Sequence, residues 1–428
     1  RTRKVGWSLL AGGAIGGMFL EQPDLALFFC MILGPFALYT LARESGFRFP
    51  DWFRVLLPMG VVAGLLALPP LLSTYRSNIK SVTPGQPGDE KSKWEFATQW
   101  SWPPDESVDF IAPGYMGWRS GEPEGPYWGR MGRSAGWEQT KQGFQNFKLE
   151  SQYLGMIPVA LALIAACGVW LAWKKDRAWS REMLFWFAAA VVTLLLSFGK
   201  FFPLYKLVYM LPGLSSIRNP NKFLQVFQLA TAVLAAGGLD MVARRPAWVA
   251  ELAEIQVRRI TVALVAVAVI VMVWAFGLST SWITMVNQLS MSGWGSAADA
   301  IVRNQVRGAW IAVLMAVVVA AAVWVLWRMS AGRRETVRTA AAWLLAAVVM
   351  ADALLLSTRY VKAMSMDMRK EDEVIKFLKA NSRLQRIALL SQASFYNHWL
   401  TYMFPYHGIS AINVTQMPRM PDDYKTFL

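Results

Sequence analysis

The chain has 428 residues, 55% hydrophobic and only 17% charged, with 21 Trp and a mean hydropathy of +0.32. A soluble domain of this size carries about 25% charge, so a water-soluble globular fold is excluded, and the continuous rather than alternating apolar runs exclude a β-barrel. The net charge of +15 fits the Lys and Arg that membrane proteins gather in cytoplasmic loops; with no basic patch on a soluble module, nucleic acid is not an expected partner.

Nine apolar runs predict transmembrane helices at 5–20, 25–41, 55–72, 154–173, 183–198, 223–242, 260–278, 309–327 and 339–356. A bilayer crossing takes roughly 17–25 residues, and the first two runs are short enough to form a tight hairpin. The fold class expected is an all-α polytopic membrane protein, with a long extracytoplasmic loop and the start of a C-terminal extracytoplasmic α/β domain. Its divisions are helices 1–3 over 1–72, an aromatic-rich loop over 73–153, helices 4–9 over 154–356 with a re-entrant hinge at 199–222, and a tail over 357–428. Basic clusters fall at alternate connections: Arg1, Arg3 and Lys4; Arg43, Arg48 and Arg54; Lys174, Lys175, Arg177 and Arg181; Arg244, Arg245, Arg258 and Arg259; Arg328, Arg333, Arg334 and Arg338. The positive-inside rule puts those ends in the cytoplasm and the large non-helical segments outside. The chain opens on Arg1, with no signal-peptide cleavage pattern before its first run, and reads as a segment of a longer polypeptide.

In chain order, Glu21 and Asp24 of EQPD lie at the outer end of the first hairpin. They serve as a base or cation ligand, or as hydrated turn residues with Asp24 as N-cap. The long loop then crowds Trp94, Trp100, Trp102, Trp118, Tyr127 and Trp128 together. Three readings stand: an interfacial aromatic belt, a sugar platform, and a protein contact anchored by Trp and Tyr. On the sugar reading, Glu106 and Asp109 bind hydroxyls and Asp105 joins them. The segment FGKFFPLYKLVYMLPGLSSIRNPNKF holds Pro203, Pro212 and Pro220, too broken for one span, and reads as re-entrant. Arg218, Asn219, Asn221 and Lys222 directly precede the Phe223 helix. Free N–H groups at a helix start beside cations make an anion site, and at the membrane face the anion expected is a lipid phosphate, with snorkelling to headgroups as the plainer reading.

Asp352 is an acid well inside a predicted span, which faces the bundle interior or an aqueous cavity or reaches the interface. Cys30 and Cys167 lie in apolar runs and, with only His398 and His407, do not form a transition-metal site; carboxylate-bound Mg or Mn is compatible with the composition. In the tail, RKEDEVIKFLKAN reads as an amphipathic helix with Val374, Phe377 and Leu378 on one face. RIALL reads as a strand, and Asn413-Val414-Thr415 as a sequon.

The order EQPDLALFF, WSWPPDESVDFIAPGYMG, GPYWG, QYLG, LLSFGKFFPLYKLVYMLPGLSSIRNPNKF and AAGGLD resembles the YfhO-type bacterial membrane proteins, within the C-type fold of membrane glycosyltransferases. The resemblance implies an outward-facing site in the bacterial inner membrane. It implies transfer of a sugar from a polyprenyl-phosphate carrier to an extracytoplasmic glycan or protein acceptor. Arg218, Asn219, Asn221 and Lys222 would hold the carrier phosphate, and Trp102, Asp105, Glu106, Tyr127 and Trp128 would cover sugar or acceptor. The family's catalytic acid lies in a first extracytoplasmic loop, which places it outside this segment. Glu21, Asp24, Glu106 and Asp352 are the candidates within it. A chain that keeps the fold without the chemistry would instead anchor a larger assembly with other membrane subunits.

Overall fold

A computed structural model describes residues 5–46, 48–74, 90–211, 218–243, 254–328, 335–361, 370–382, 385–390, 399–413 and 422–427. Arg1, Arg3, Lys4, Pro212, Arg244, Arg245, Arg333, Arg334, His398, Val414 and Thr415 lie outside the described residues. Each of the nine expected spans coincides with a helix: α1 Val5–Glu21, α2 Pro23–Ser45, α3 Phe49–Thr74, α6 Met156–Ala172, α7 Arg177–Ser197, α9 Phe223–Ala243, α10 Glu254–Thr280, α12 Ala298–Arg328 and α13 Glu335–Ser357. Among the described residues, seven helices are long and apolar enough to cross a membrane, and α1 and α6 are apolar helices of 17 residues. Shorter helices are α4 Glu90–Ala97, α5 Trp137–Thr140, α8 Leu204–Tyr209, α11 Trp282–Leu289 and α14 Glu373–Ser382.

The chain divides into two compact units, one of 1–69 and 88–360, the other of 70–87 and 361–428. The first is held by α6, α7 and α9. Lipid removes the hydrophobic drive between helices, so close packing of small residues does the holding. Ala160, Ala165, Ala189, Ala190 and Ala230 line that seam with Leu161, Trp186 and Leu234. At Gly238 the helices come so close that a Cβ would stand 2.0 Å from the Leu161 carbonyl oxygen. A second seam joins α10 and α12 through Ala268, Ala275, Ala309, Ala312 and Ala316. Asp176 caps α7 by accepting from the Trp179 N–H at 3.0 Å, which satisfies one orphan donor of the first turn.

The expected loop between the spans at 260–278 and 309–327 is largely helical. After α11, α12 begins eleven residues before its apolar run, at Ala298. Its polar first turns are supported by the Asp299–Arg303 ion pair at i,i+4 and by Asn304, whose amide donates to Glu124 O at 2.8 Å. The polar residues there mark contacts with the long loop, not a break in the helix.

In the second unit α14 forms where expected, with the Asp372 carboxylate accepting from the Ile375 N–H at 2.7 Å. Its inward stripe is Ile375, Leu378 and Ser382. Val374 and Phe377 are exposed, a one-residue rotation from the stripe expected. RIALL makes an isolated parallel bridge, Ile387 to Ala411, and no strand is formed among the described residues. The Asn413 side chain extends that bridge, accepting from Leu389 N–H at 2.6 Å and donating to Leu389 O at 3.1 Å. The acceptor nitrogen of the sequon is thereby occupied.

Candidate functional site: a docked cationic hinge

The hinge folds against the long loop through its backbone. Asn219 takes the left-handed conformation (φ 71°, ψ 74°), which Asn tolerates better than most residues. Its N–H donates to Ala97 O at 3.1 Å, and the Asn221 N–H to Trp100 O at 3.0 Å. Pro220 opens a short 3-10 turn, where a missing N–H costs nothing. The Lys222 N–H returns to Asn219 O at 3.0 Å, and the Phe223 N–H to the carbonyls of Pro220 and Asn221. Two of these amides are therefore spent on docking and two on closing the turn. The expected anion site of free helix N–H groups does not take that form; the charge at this elbow comes from side chains.

Those side chains are Arg218 and Lys222. The Arg218 guanidinium lies 4.3 Å from the Phe96 ring centroid and 5.8 Å from that of Trp100. Lys222 is ion-paired with Asp24 of EQPD, whose second oxygen accepts from the Leu25 N–H at 2.9 Å. Asp24 is thus not the N-cap of α2, a place taken by Gln22 with Pro23 after it; the carboxylate turns across to the hinge lysine. Below it Phe28 and Phe223 pack at 4.3 Å. The Oδ1 atoms of Asn219 and Asn221 are buried and accept no hydrogen bond. The hinge is clamped from the far side by Gly199 (φ 50°), where a Cβ would meet Ser101 Oγ at 2.0 Å and Pro220 Cγ at 2.8 Å.

A second group of cations stands beside it. Arg130 and Lys200 both hold against the Phe201 ring, at 4.8 and 5.5 Å, and Arg130 pairs with the exposed Asp105. Crowding by protein lowers the Lys200 pKa first; Glu95 opposes this, and the charges of Arg130 and Arg133 add to it. Neither Arg130 nor Lys200 carried a sequence signal beyond Lys200 lying next to Phe201 and Arg130 two residues after Trp128.

Residues 90–153 of the long loop form a small folded module. Trp102 is fully buried, stacks on Phe110 with centroids 5.7 Å apart, and donates from Nε1 to Ser107 Oγ at 3.1 Å. Glu106 is fully buried too. It accepts from Tyr127 OH at 2.6 Å and from the Arg130 N–H at 2.8 Å, while Tyr127 OH accepts from the Met131 N–H at 2.8 Å. Asp109 accepts from the Met116 N–H at 2.8 Å and pairs with Lys148, both side chains buried. Burial raises the Glu106 carboxyl to about 7 against the opposing Tyr127 and Arg130 hydrogen bonds. Burial and the Glu106 charge push Tyr127 well above its usual value.

The sugar-platform expectation is therefore corrected for three of its members. Trp102, Glu106 and Tyr127 have no open face; their stacking and hydrogen-bonding capacity is used inside the module. Asp105 is exposed and Trp128 half-buried, its Nε1 donating to Tyr115 O at 2.8 Å. Glu21 ends α1 in an exposed position. Asp352 lies apart from the hinge contacts, accepting from Tyr153 OH at 2.7 Å at the end of α13. Of the four candidate acids, Asp24 is the one the fold joins to the hinge by an ion pair. Among the described residues no three or more His, Cys, Asp or Glu gather to hold a metal ion. No family model, curated protein or solved structure matches the chain.

Proposed function

We propose that the chain is a glycosyltransferase of the bacterial inner membrane, moving a sugar from a polyprenyl-phosphate carrier to an extracytoplasmic acceptor. One observation supports the reading: the hinge is docked by its backbone, and it brings two cations, Arg218 against Phe96 and Trp100 and Lys222 paired with Asp24, to the start of a helix long and apolar enough to cross a membrane. In the reaction the acceptor hydroxyl oxygen attacks the anomeric carbon. The bond from that carbon to the phosphate oxygen breaks, its electron pair leaves with the phosphate, and the hydroxyl proton passes to a carboxylate. Arg218, planar and bidentate, and Lys222, a point charge, stabilise the departing phosphate as charge builds. The phosphate takes the place of Asp24 at Lys222.

The test uses proteoliposomes with a labelled sugar on polyprenyl phosphate. R218A/K222A should lower transfer by about a hundredfold or more while thermal stability in detergent stays near that of the parent. Equal transfer by parent and variant would end the assignment of the hinge. The anchoring reading has its own support, since the module's acids and aromatics satisfy one another internally. Absence of transfer by the parent, with capture of further membrane subunits, would favour it. The outward placement is read by E138C, an exposed position, which an impermeant thiol reagent should label from outside intact cells.

A further inference from the structure

The seam between α10 and α12 is built on alanines, and alanine leaves space. Ala268 and Ala320 lie buried at its floor. Longer side chains stand on either side: Val265, Val269 and Met272 from α10, and Val317 and Trp324 from α12, each 44–51% exposed. Small residues between large ones make a groove, here of about 520 Å³. Among the residues that line it, only Thr261 and Trp324 carry a side-chain hydrogen-bond donor.

The dimensions of the groove restrict what can fill it. From Thr261 to Met272 it follows α10 for about 17 Å, at 1.5 Å per residue. That is the depth of one leaflet, half of the roughly 30 Å hydrocarbon core. Spread over this length, the volume gives a channel about 5–6 Å across. A hydrocarbon chain fits, since carbon atoms pack about 4 Å apart. A helix, about 10 Å across with its side chains, does not.

Charge sits at one end. Thr261, Val265, Val269 and Met272 follow one another at intervals of three and four residues, which is one face of α10. Three residues before Thr261 the same face carries Arg258, which is exposed. Arg259, also exposed, lies about 100° around the helix from it. Helical side chains lean toward the helix N-terminus, so Arg258 extends beyond the groove's end, away from Met272. This end is basic as a whole. From Arg244 to Arg259 the sequence has four arginines against Glu251 and Glu254, and α12 closes on Arg328, four residues past Trp324. An apolar channel one leaflet long, with a cation beyond its mouth, is complementary to a hydrocarbon chain with an anionic headgroup.

We propose that the groove between α10 and α12 seats one acyl chain of an anionic diacyl phospholipid whose headgroup phosphate meets Arg258. The site does not involve the hinge at 218–222 and stands whether or not the hinge binds a phosphate. Arg258 responds to the net charge of the headgroup. Phosphatidylglycerol offers it one negative charge, whereas the choline cation of phosphatidylcholine offsets the phosphate. The chain supplies the dispersion contacts that Ala268 and Ala320 are too small to make.

The experiment titrates the full chain in detergent micelles with phosphatidylglycerol or phosphatidylcholine of identical acyl chains, and counts bound lipids by native mass spectrometry. The first phosphatidylglycerol should bind about fivefold more tightly than the first phosphatidylcholine, the contribution of one arginine near an anionic lipid. R258A should erase this preference. R259A removes the same charge from another face and should keep the preference to within about twofold. A321F, at an exposed position on the groove wall, puts a ring into the channel and should weaken phosphatidylglycerol binding about tenfold. All three positions are exposed, so melting temperatures should match the parent. A parent without the preference overturns the inference. So does R258A keeping it, equal loss in R258A and R259A, or unchanged binding in A321F. A dimer in the same spectra that A321F dissolves also overturns it, because the groove would then be a helix interface.

Discussion

Glu106 offers a measurement of what the loop module costs to bury. Its carboxyl, ordinarily at 4.5, is raised to about 7 by burial in the fold. The folded state therefore holds a proton that the opened state releases between those two values. Stability is greatest at or below about pH 4.5, falls as pH rises toward 7, and is flat above that. The difference corresponds to roughly 3 kcal/mol, or about two orders of magnitude in the opening equilibrium. Tyr127 stays protonated across this range because burial and the Glu106 charge raise it, so its hydroxyl remains a donor throughout. The reporters are the Arg130 and Met131 amides, which donate to Glu106 and to Tyr127 OH. Hydrogen exchange of these amides, corrected for intrinsic chemistry, should lose about a hundredfold of protection from pH 5 to pH 8. In E106Q the dependence should flatten, since the amide carries no charge at any of these pH values; it keeps one of the two acceptor oxygens, so the whole profile should sit at lower protection. Parallel pH profiles in parent and E106Q would refute the argument, because the titrating group would then lie elsewhere.

Lys148→Met strands the buried Asp109 carboxylate and should open the module by about 3–5 kcal/mol, read as lost protection of the Met116 amide that donates to Asp109; D109N/K148M should recover most of it. Gly238→Ala drives a Cβ into the Leu161 carbonyl and should cost about 1–3 kcal/mol at the α6/α9 seam, seen as a lower melting temperature in detergent. Asn219→Ala should cost about 1–2 kcal/mol through its left-handed backbone, and Asn219→Gly should not, with protection of the Asn221 amide as the measure.

The spanning helices were legible because an apolar run of membrane length has few other fates. The boundary of α12 was missed because its first turns are polar, and polarity there reflects contact with the loop module. The aromatic loop was legible as special but not as folded. Trp102 and Tyr127 are the same side chains whether they stack on a sugar or fill a core. What decides is the Glu106–Tyr127 hydrogen bond across 21 residues and the Lys148–Asp109 pair across 39, and no local period records either. The tail strand failed for a related reason. Five residues, four of them apolar, fix neither a partner nor a register, and Asn413 supplies by side chain the pairing that a second strand would give by backbone.

The hinge joins what could be read with what could not. Its cations were visible in the sequence, and the fate of its amides was not, since a backbone donor spent on Ala97 or Trp100 leaves no mark on residue type. Yet this hidden feature is what makes the visible one testable. Asn219, Pro220 and Asn221 hold the elbow in place by conformation and main-chain bonds. Arg218 meets Phe96 and Lys222 meets Asp24 by side chain, while the Lys222 N–H closes the turn whatever its side chain. Holding and chemistry thus fall on different residues of one pentapeptide. Substituting the two cations should alter what the elbow binds without undocking it, whereas substituting Asn219 should undock it with the charge intact. If both substitutions loosened the Asn221 amide equally, the cations would belong to the scaffold, and the phosphate reading would lose its physical basis.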